Sequence, residues 1–207
     1  PALIAFDIPT SDAGYNAAGF WKITLSATDL PAVRGGRVTI DGSTQPGGRA
    51  DGPKVILFRS GGGTSYKILA LGAQAAEGNH VVRGLGFQNV ELRMTGGGNI
   101  IEDNWLGLND AGTAIYFYNN DVAQDNHGFI NGASAGDNNL VRNNKLAGSR
   151  QNAINFASND NLIAGNTIGV LADGTIPTPP APASLCKPNV TTSNWFGGGG
   201  IMVSGRR

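Results

Sequence analysis

The chain has 207 residues, 40% hydrophobic and 14% charged, too apolar for a disordered segment and suited to one folded domain or part of one. Its 15 basic residues balance 15 acidic ones and no stretch interleaves Lys or Arg with aromatics, so nucleic acid is not an expected partner. No apolar run approaches the roughly 20 residues of a membrane span, the N-terminus lacks the basic start of a signal peptide, and the single Cys186 excludes an internal disulfide or a paired-cysteine metal site.

Glycine, at 32 residues, runs at about twice ordinary usage, and 16 of the 21 asparagines fall between Asn99 and Asn166. In chain order, "SDAGYNAAGFWKI" at 11–23 comes nearest to a helix, but its glycines weaken it. A repeat then runs through the middle: "NIIEDNWLG" at 99–107, "NLVRNNKLA" at 139–147 and "NLIAGNTIG" at 161–169. Each reads Asn, two aliphatics, two variable residues, Asn, a variable residue, an aliphatic and a small residue. Upstream, "HVVRGLGF" at 80–87 keeps the phase and aligns Val82, Leu85 and Phe87 with Ile101, Asn104 and Leu106. A fainter alternating strand follows each copy, at 128–134, 153–158 and 200–205.

Runs of three to five residues with period-2 alternation, punctuated by Gly, Asn and Asp, are strands broken by tight turns. A unit of about 22 residues cannot bury its own apolar face, but units stacked coil on coil bury a continuous one, each strand pairing in parallel about 4.8 Å from its counterparts. The expected fold is all-β: a parallel β-helix, a single solenoid over residues 1–207. It should have roughly seven turns of about 22 residues, about 30–35 Å long. Insertions are expected at about 107–127 and 172–199.

Within the repeat, Ile101, Val141 and Ile163 make one inward column and Leu106, Leu146 and Ile168 another. Asn104, Asn144 and Asn166 stand between them. An inward Asn at a corner can take left-handed geometry and bond the backbone or the amide one turn away, which predicts a structural asparagine ladder. Leu85 cannot continue it, so Asn104 is expected to bond backbone or water on that side.

At these residues the chain resembles the bacterial right-handed parallel β-helix proteins with PbH1-type repeats, the pectin-lyase-like superfold. The likeness is to a subgroup of surface-exposed multidomain proteins, through "IAFDIP" at 4–9, "VTIDGSTQPG" at 38–47, "VVRGLGF" at 81–87, "NWLGLNDAGT" at 104–113 and "NTIGVLADGT" at 166–175. The resemblance implies a right-handed coil and an extracellular or cell-surface location. It also implies an excerpt of a longer polypeptide whose solenoid ends meet flanking segments or other chains.

The superfold also hosts polysaccharide lyases and hydrolases, so chemistry has to be sought in residues. "NNDVAQDNHG" gathers Asp121, Asp125 and His127, the catalytic candidates, but lacks the paired aspartates and downstream basic phrase of the hydrolases that it resembles; a solvated turn is the simpler reading. Asp103, Asp110, Asp137, Asp160 and Asp173 sit beside Gly or Asn as turn residues. Glu102, Arg142 and Ala164 share one position, so no carboxylate column is expected there. His80 reads as a surface residue, and no cofactor or metal is expected.

Alternation points Trp105 outward beside Lys145, inviting a cation–π contact. Tyr116, Phe117 and Tyr118 crowd the first insertion, where they either fold back over Trp105 or meet a glycan or protein partner. Trp195 and Phe196 in the Pro-rich second insertion need cover. The binding candidates are therefore Trp105, Tyr116, Tyr118, Lys145 and Trp195. The expected function is a non-enzymatic structural or adhesion segment of a surface or filament-forming protein. Alternatives are a polysaccharide-active enzyme or carbohydrate-binding module, or a tailspike-like part that would need to trimerise.

Overall fold

The computed structural model describes residues 1–25, 30–59, 67–116, 130–148, 152–176 and 201–204. The described chain is all-β and winds through three sheets. The first stacks β1 (Ala2–Ala5), β4 (Val38–Asp41), β7 (Val81–Arg83), β10 (Ile100–Glu102), β13 (Leu140–Arg142) and β16 (Leu162–Ala164). The second stacks β3 (Phe20–Leu25), β5 (Val55–Arg59), β8 (Leu85–Gln88), β11 (Trp105–Leu106), β14 (Lys145–Leu146) and β17 (Thr167–Ile168). The third stacks β6 (Lys67–Leu71), β9 (Val90–Met94), β12 (Ile130–Gly132), β15 (Ile154–Phe156) and β18 (Ile201–Val203). These strands pair in parallel, coil on coil, as in a β-helix. The described residues show six coils where the repeat arithmetic expects about seven, because the early coils carry long connections. The glycine-weakened stretch near residue 15 forms no helix but the short β2 (Tyr15–Asn16), which pairs antiparallel with β3.

The core is a set of columns running along the coil. Ile40, Val82, Ile101 and Val141 stack on the first sheet, and Phe87, Leu106 and Leu146 on the second, all buried. On the third sheet Leu69, Leu92, Ile130 and Ile154 do the same. Gly132 leaves room for its neighbour: a Cβ there would stand 2.4 Å from the Phe156 ring, so this small–large pair fills the space of two medium side chains.

Asparagines hold two of the corners. Asn104 donates from Nδ2 to Asn144 Oδ1 at 3.0 Å, and Asn144 to Asn166 Oδ1 at 2.9 Å. At its Leu85 end Asn104 bonds backbone alone, accepting from Leu85 N and donating to Val82 O, both at 3.0 Å. The left-handed residue is not the ladder asparagine but the one before it: Asp103 (φ 56°), Asn143 (φ 55°) and Gly165 (φ 63°). The ladder amide faces inward from ordinary backbone, and the preceding residue makes the bend.

A second ladder occupies the opposite corner. Asn99 donates to Asn139 Oδ1 and Asn139 to Asn161 Oδ1, each at 2.9 Å, while Asn99 Oδ1 accepts from His80 N at 3.0 Å. His80 caps this column and is fully buried, not a surface residue. Its Nδ1 accepts from Val38 N at 3.4 Å, and its Nε2 is buried without a partner.

The outer face of the first sheet carries two more columns. One is largely aliphatic: Leu3, Thr39, Val81, Ile100, Leu140 and Leu162. The other, two residues on, runs Ala5, Asp41, Arg83, Glu102, Arg142 and Ala164, and its four central members alternate in charge. Arg83 reaches Asp41 at 2.6 Å and Glu102 at 3.7 Å, and Arg142 reaches Glu102 at 2.7 Å. The position is an ionic ladder, which the comparison of Glu102, Arg142 and Ala164 alone does not reveal. Burial raises the Asp41 carboxyl, but hydrogen bonds from Arg83 and Ser43 outweigh it and hold the group below its ordinary value.

Candidate functional site

The outer face of the second sheet holds the chemistry that the sequence points to. Trp105 stands outward on β11, between Gly86 on one coil and Lys145 on the next. Glycine at 86 is required by packing: a Cβ there would meet the buried Ile56 side chain at 2.9 Å.

The indole is half-buried, because two loops close on it. Residues 108–116 double back as a hairpin, bridged at Leu108 and Ile115, and pack with Ala147, Leu171 and Ala172 around the ring. A Cβ on Gly112 would lie 2.5 Å from the indole, and one on Gly52 would lie 2.9 Å from it, so both loops approach as bare backbone. Gly112 also has φ 73°, which independently favours glycine. The Lys145 ammonium sits 5.3 Å from the ring centroid and the Arg49 guanidinium 5.5 Å.

Asp110, at the hairpin tip, reaches across the sheet. Its carboxylate takes an ion pair from Lys22 at 2.7 Å and a hydrogen bond from Gln88 Nε2 at 2.7 Å, and Arg49 donates to its carbonyl. It is a long-range clamp and not the local turn residue expected. Burial lowers the Arg49 guanidinium from its ordinary value, and the Asp51 and Asp110 charges oppose that. Asp173 fits the local reading: it accepts from Thr175 N at 2.9 Å, and its bonds to Thr175 hold it below the ordinary value.

Between this face and the loop at 49–54 lies an open cleft of about 390 Å³. Its walls bring together Trp105, Lys145, Lys54, Arg49, Asp51 and Asp103. Lys54 donates to Gln45 O at 2.9 Å and Lys145 to Ala172 O, so both ammonium groups are anchored at the rim. Such a cleft can hold a polar or anionic group by hydrogen bonds. The Trp105 face, however, is largely taken by loops and cations, which leaves little open ring for stacking a sugar.

Of the five binding candidates, the structure brings Trp105 and Lys145 together. Tyr116 packs edge-on against Phe58, with ring centroids 5.7 Å apart, and not over Trp105. Tyr118 and Trp195 lie outside the described residues, as do Asp121, Asp125, His127 and Cys186. Sequence reasoning missed Arg49 and Lys54, which lie in a loop with no repeat phase to mark them. Among the described residues, no three His, Cys, Asp or Glu side chains are grouped to hold a metal ion, and no helix is long and apolar enough to cross a membrane. Comparisons with protein-family models, curated proteins and solved structures return no match, so the chemistry of this face is read from its own geometry.

Proposed function

We propose that the chain is a non-enzymatic β-helical segment of a bacterial surface, adhesin-like or filament-forming protein, working outside the cell through its sheet faces and loops. The observation that carries this reading is how its polar groups are used. The buried amides of Asn99, Asn104, Asn139 and Asn144 tie one coil to the next, and Asp41, Glu102 and Asp110 each bind a lysine or arginine of another coil. A general acid or base must exchange protons with a substrate, whereas these carboxylates are occupied as ties between structural elements. The phrases similar to PbH1-repeat proteins, together with the three-sheet coil, support placing the chain among pectin-lyase-like surface proteins.

A second reading, contact with an anionic glycan, is favoured by the cleft beside Trp105, where Lys54, Lys145 and Arg49 gather. Incubation with uronate polymers, with and without Ca²⁺, tests both. No new chain ends are expected. Cleavage of the polymer would overturn the structural reading. Saturable binding without cleavage, abolished by Lys54→Ala with Lys145→Ala, would establish the glycan contact instead.

A further inference from the structure

The outer face of the first sheet is self-complementary. We propose that two copies of the chain pair through it, face to face, with their coil axes antiparallel. This inference stands apart from the structural role above, since an enzyme built on the same coil could pair in the same way.

A two-fold axis lying along the strand direction, midway between β7 and β10, turns one sheet onto another, keeps each column opposite its own copy and reverses the order of coils. Row by row, the six-strand register then sets Leu3 against Leu162, Thr39 against Leu140 and Val81 against Ile100. Aliphatic meets aliphatic at the outer and central rows. The two most exposed members of the column, Leu3 at 61% and Leu162 at 59%, cover one another.

The ionic ladder obeys the same operation. Its order is Asp41, Arg83, Glu102, Arg142, and a ladder with an even number of alternating charges changes sign at every rung when reversed. Asp41 therefore faces the other copy's Arg142, and Arg83 faces its Glu102. Within one copy Asp41 has an arginine on one side only, and Arg142 a carboxylate on one side only, so the ladder has a negative end and a positive end. Antiparallel pairing sets each end against its opposite; an axis along the coil would set the ladder against the aliphatic column instead. The guanidiniums, 45% and 49% exposed, are the groups that would bridge the copies.

The face is small. Six strands span about 24 Å and its two columns cover on the order of 300 Å² per copy, against about 800 Å² for a standard interface. The pairing is accordingly weak and seen at high concentration or when chains are held near one another.

The test uses single-cysteine variants of the full chain in a Cys186→Ser background. A mixture of Thr39→Cys and Leu140→Cys chains, treated with a short bismaleimide, should cross-link at least tenfold more than either variant alone, because residue 39 faces residue 140 and never itself. Sedimentation at millimolar concentration should show dimers that Leu3→Lys weakens and that added Leu162→Glu restores; both positions are exposed, so neither change threatens the fold. Equal cross-linking of Thr39→Cys with itself would overturn the antiparallel register. A monomer at millimolar concentration, without cross-links in the mixture, would overturn the pairing and leave the face to a different partner.

Discussion

His80 shows how one residue can finish a column that it does not chemically match. It stands where Asn99, Asn139 and Asn161 stand on later coils, and its Nδ1 supplies the acceptor for Val38 N that an asparagine Oδ1 would otherwise supply. Burial lowers its readiness to protonate, with the Glu77 charge pulling the other way. The sign of the pH effect follows. The unfolded chain takes up the proton first, so the stability present above the unfolded value of about 6.5 is lost as pH falls below it, until the folded state also protonates. The urea midpoint of the wild type should drop between about pH 7 and pH 5, and His80→Asn should flatten that part of the curve while extending the ladder. Equal pH slopes in the two proteins would show that His80 does not set them. The column was partly legible: the repeat displays Asn99, Asn139 and Asn161 at its first position, and the phase places His80 there too. What hid it was chemistry, since an isolated histidine before a strand resembles any polar surface residue. The left-handed corners were misplaced by one residue: the sequence reading put that geometry on Asn104, Asn144 and Asn166, whereas Gly84, Asp103, Asn143 and Gly165, residue types that tolerate positive φ, adopt it.

At the scale of elements, the hairpin at 108–116 does more than fill an insertion. It leaves the fourth coil, yet Asp110 at its tip binds Lys22 of the first and Gln88 of the third. Its backbone also covers Trp105, so the hairpin works as a strap over the second sheet. Asp110→Ala removes a partly exposed ion pair and one of the two acceptors of Gln88 Nε2, whose other bond, to Leu108 O, remains. The expected loss is about 1–2 kcal/mol, with a coupling to Lys22→Ala of about 0.5–1 kcal/mol in a double-mutant cycle that shrinks in high salt. A coupling of zero would mean that the strap is held by Leu108 and Ile115 packing alone. The strands themselves were legible because each obeys period-2 alternation in a fixed repeat. The strap was not, because its partners lie 22 and 88 residues away and nothing local in "LNDAGT" distinguishes a clamp from a turn. The Trp105–Lys145 pairing was legible for the opposite reason, as both occupy one position of the repeat on adjacent coils.

For the whole molecule, a solenoid of parallel columns couples each coil mainly to its immediate neighbours, so a defect should stay near where it is made. Asn144 gives a sharp way to test this. Its side chain accepts from the backbone N and the amide of Asn104, and donates to Ile101 O and Asn166 Oδ1. Asn144→Ala strands those buried groups together, at a cost of roughly 3 kcal/mol or more. Hydrogen exchange followed by mass spectrometry should then show faster exchange at 100–106, 140–146 and 162–168, the coils that the ladder joins. Protection at 20–25 and 55–59 should hold, since those strands meet through Trp21, Ile23 and Leu25 against Val55, Leu57 and Arg59, far from the broken rung. If exchange rises equally in every coil, the chain unfolds as one cooperative unit, and the strap from Asp110 to Lys22 becomes the natural suspect for joining its distant coils. In that event Asp110→Ala introduced beside Asn144→Ala should restore the local pattern.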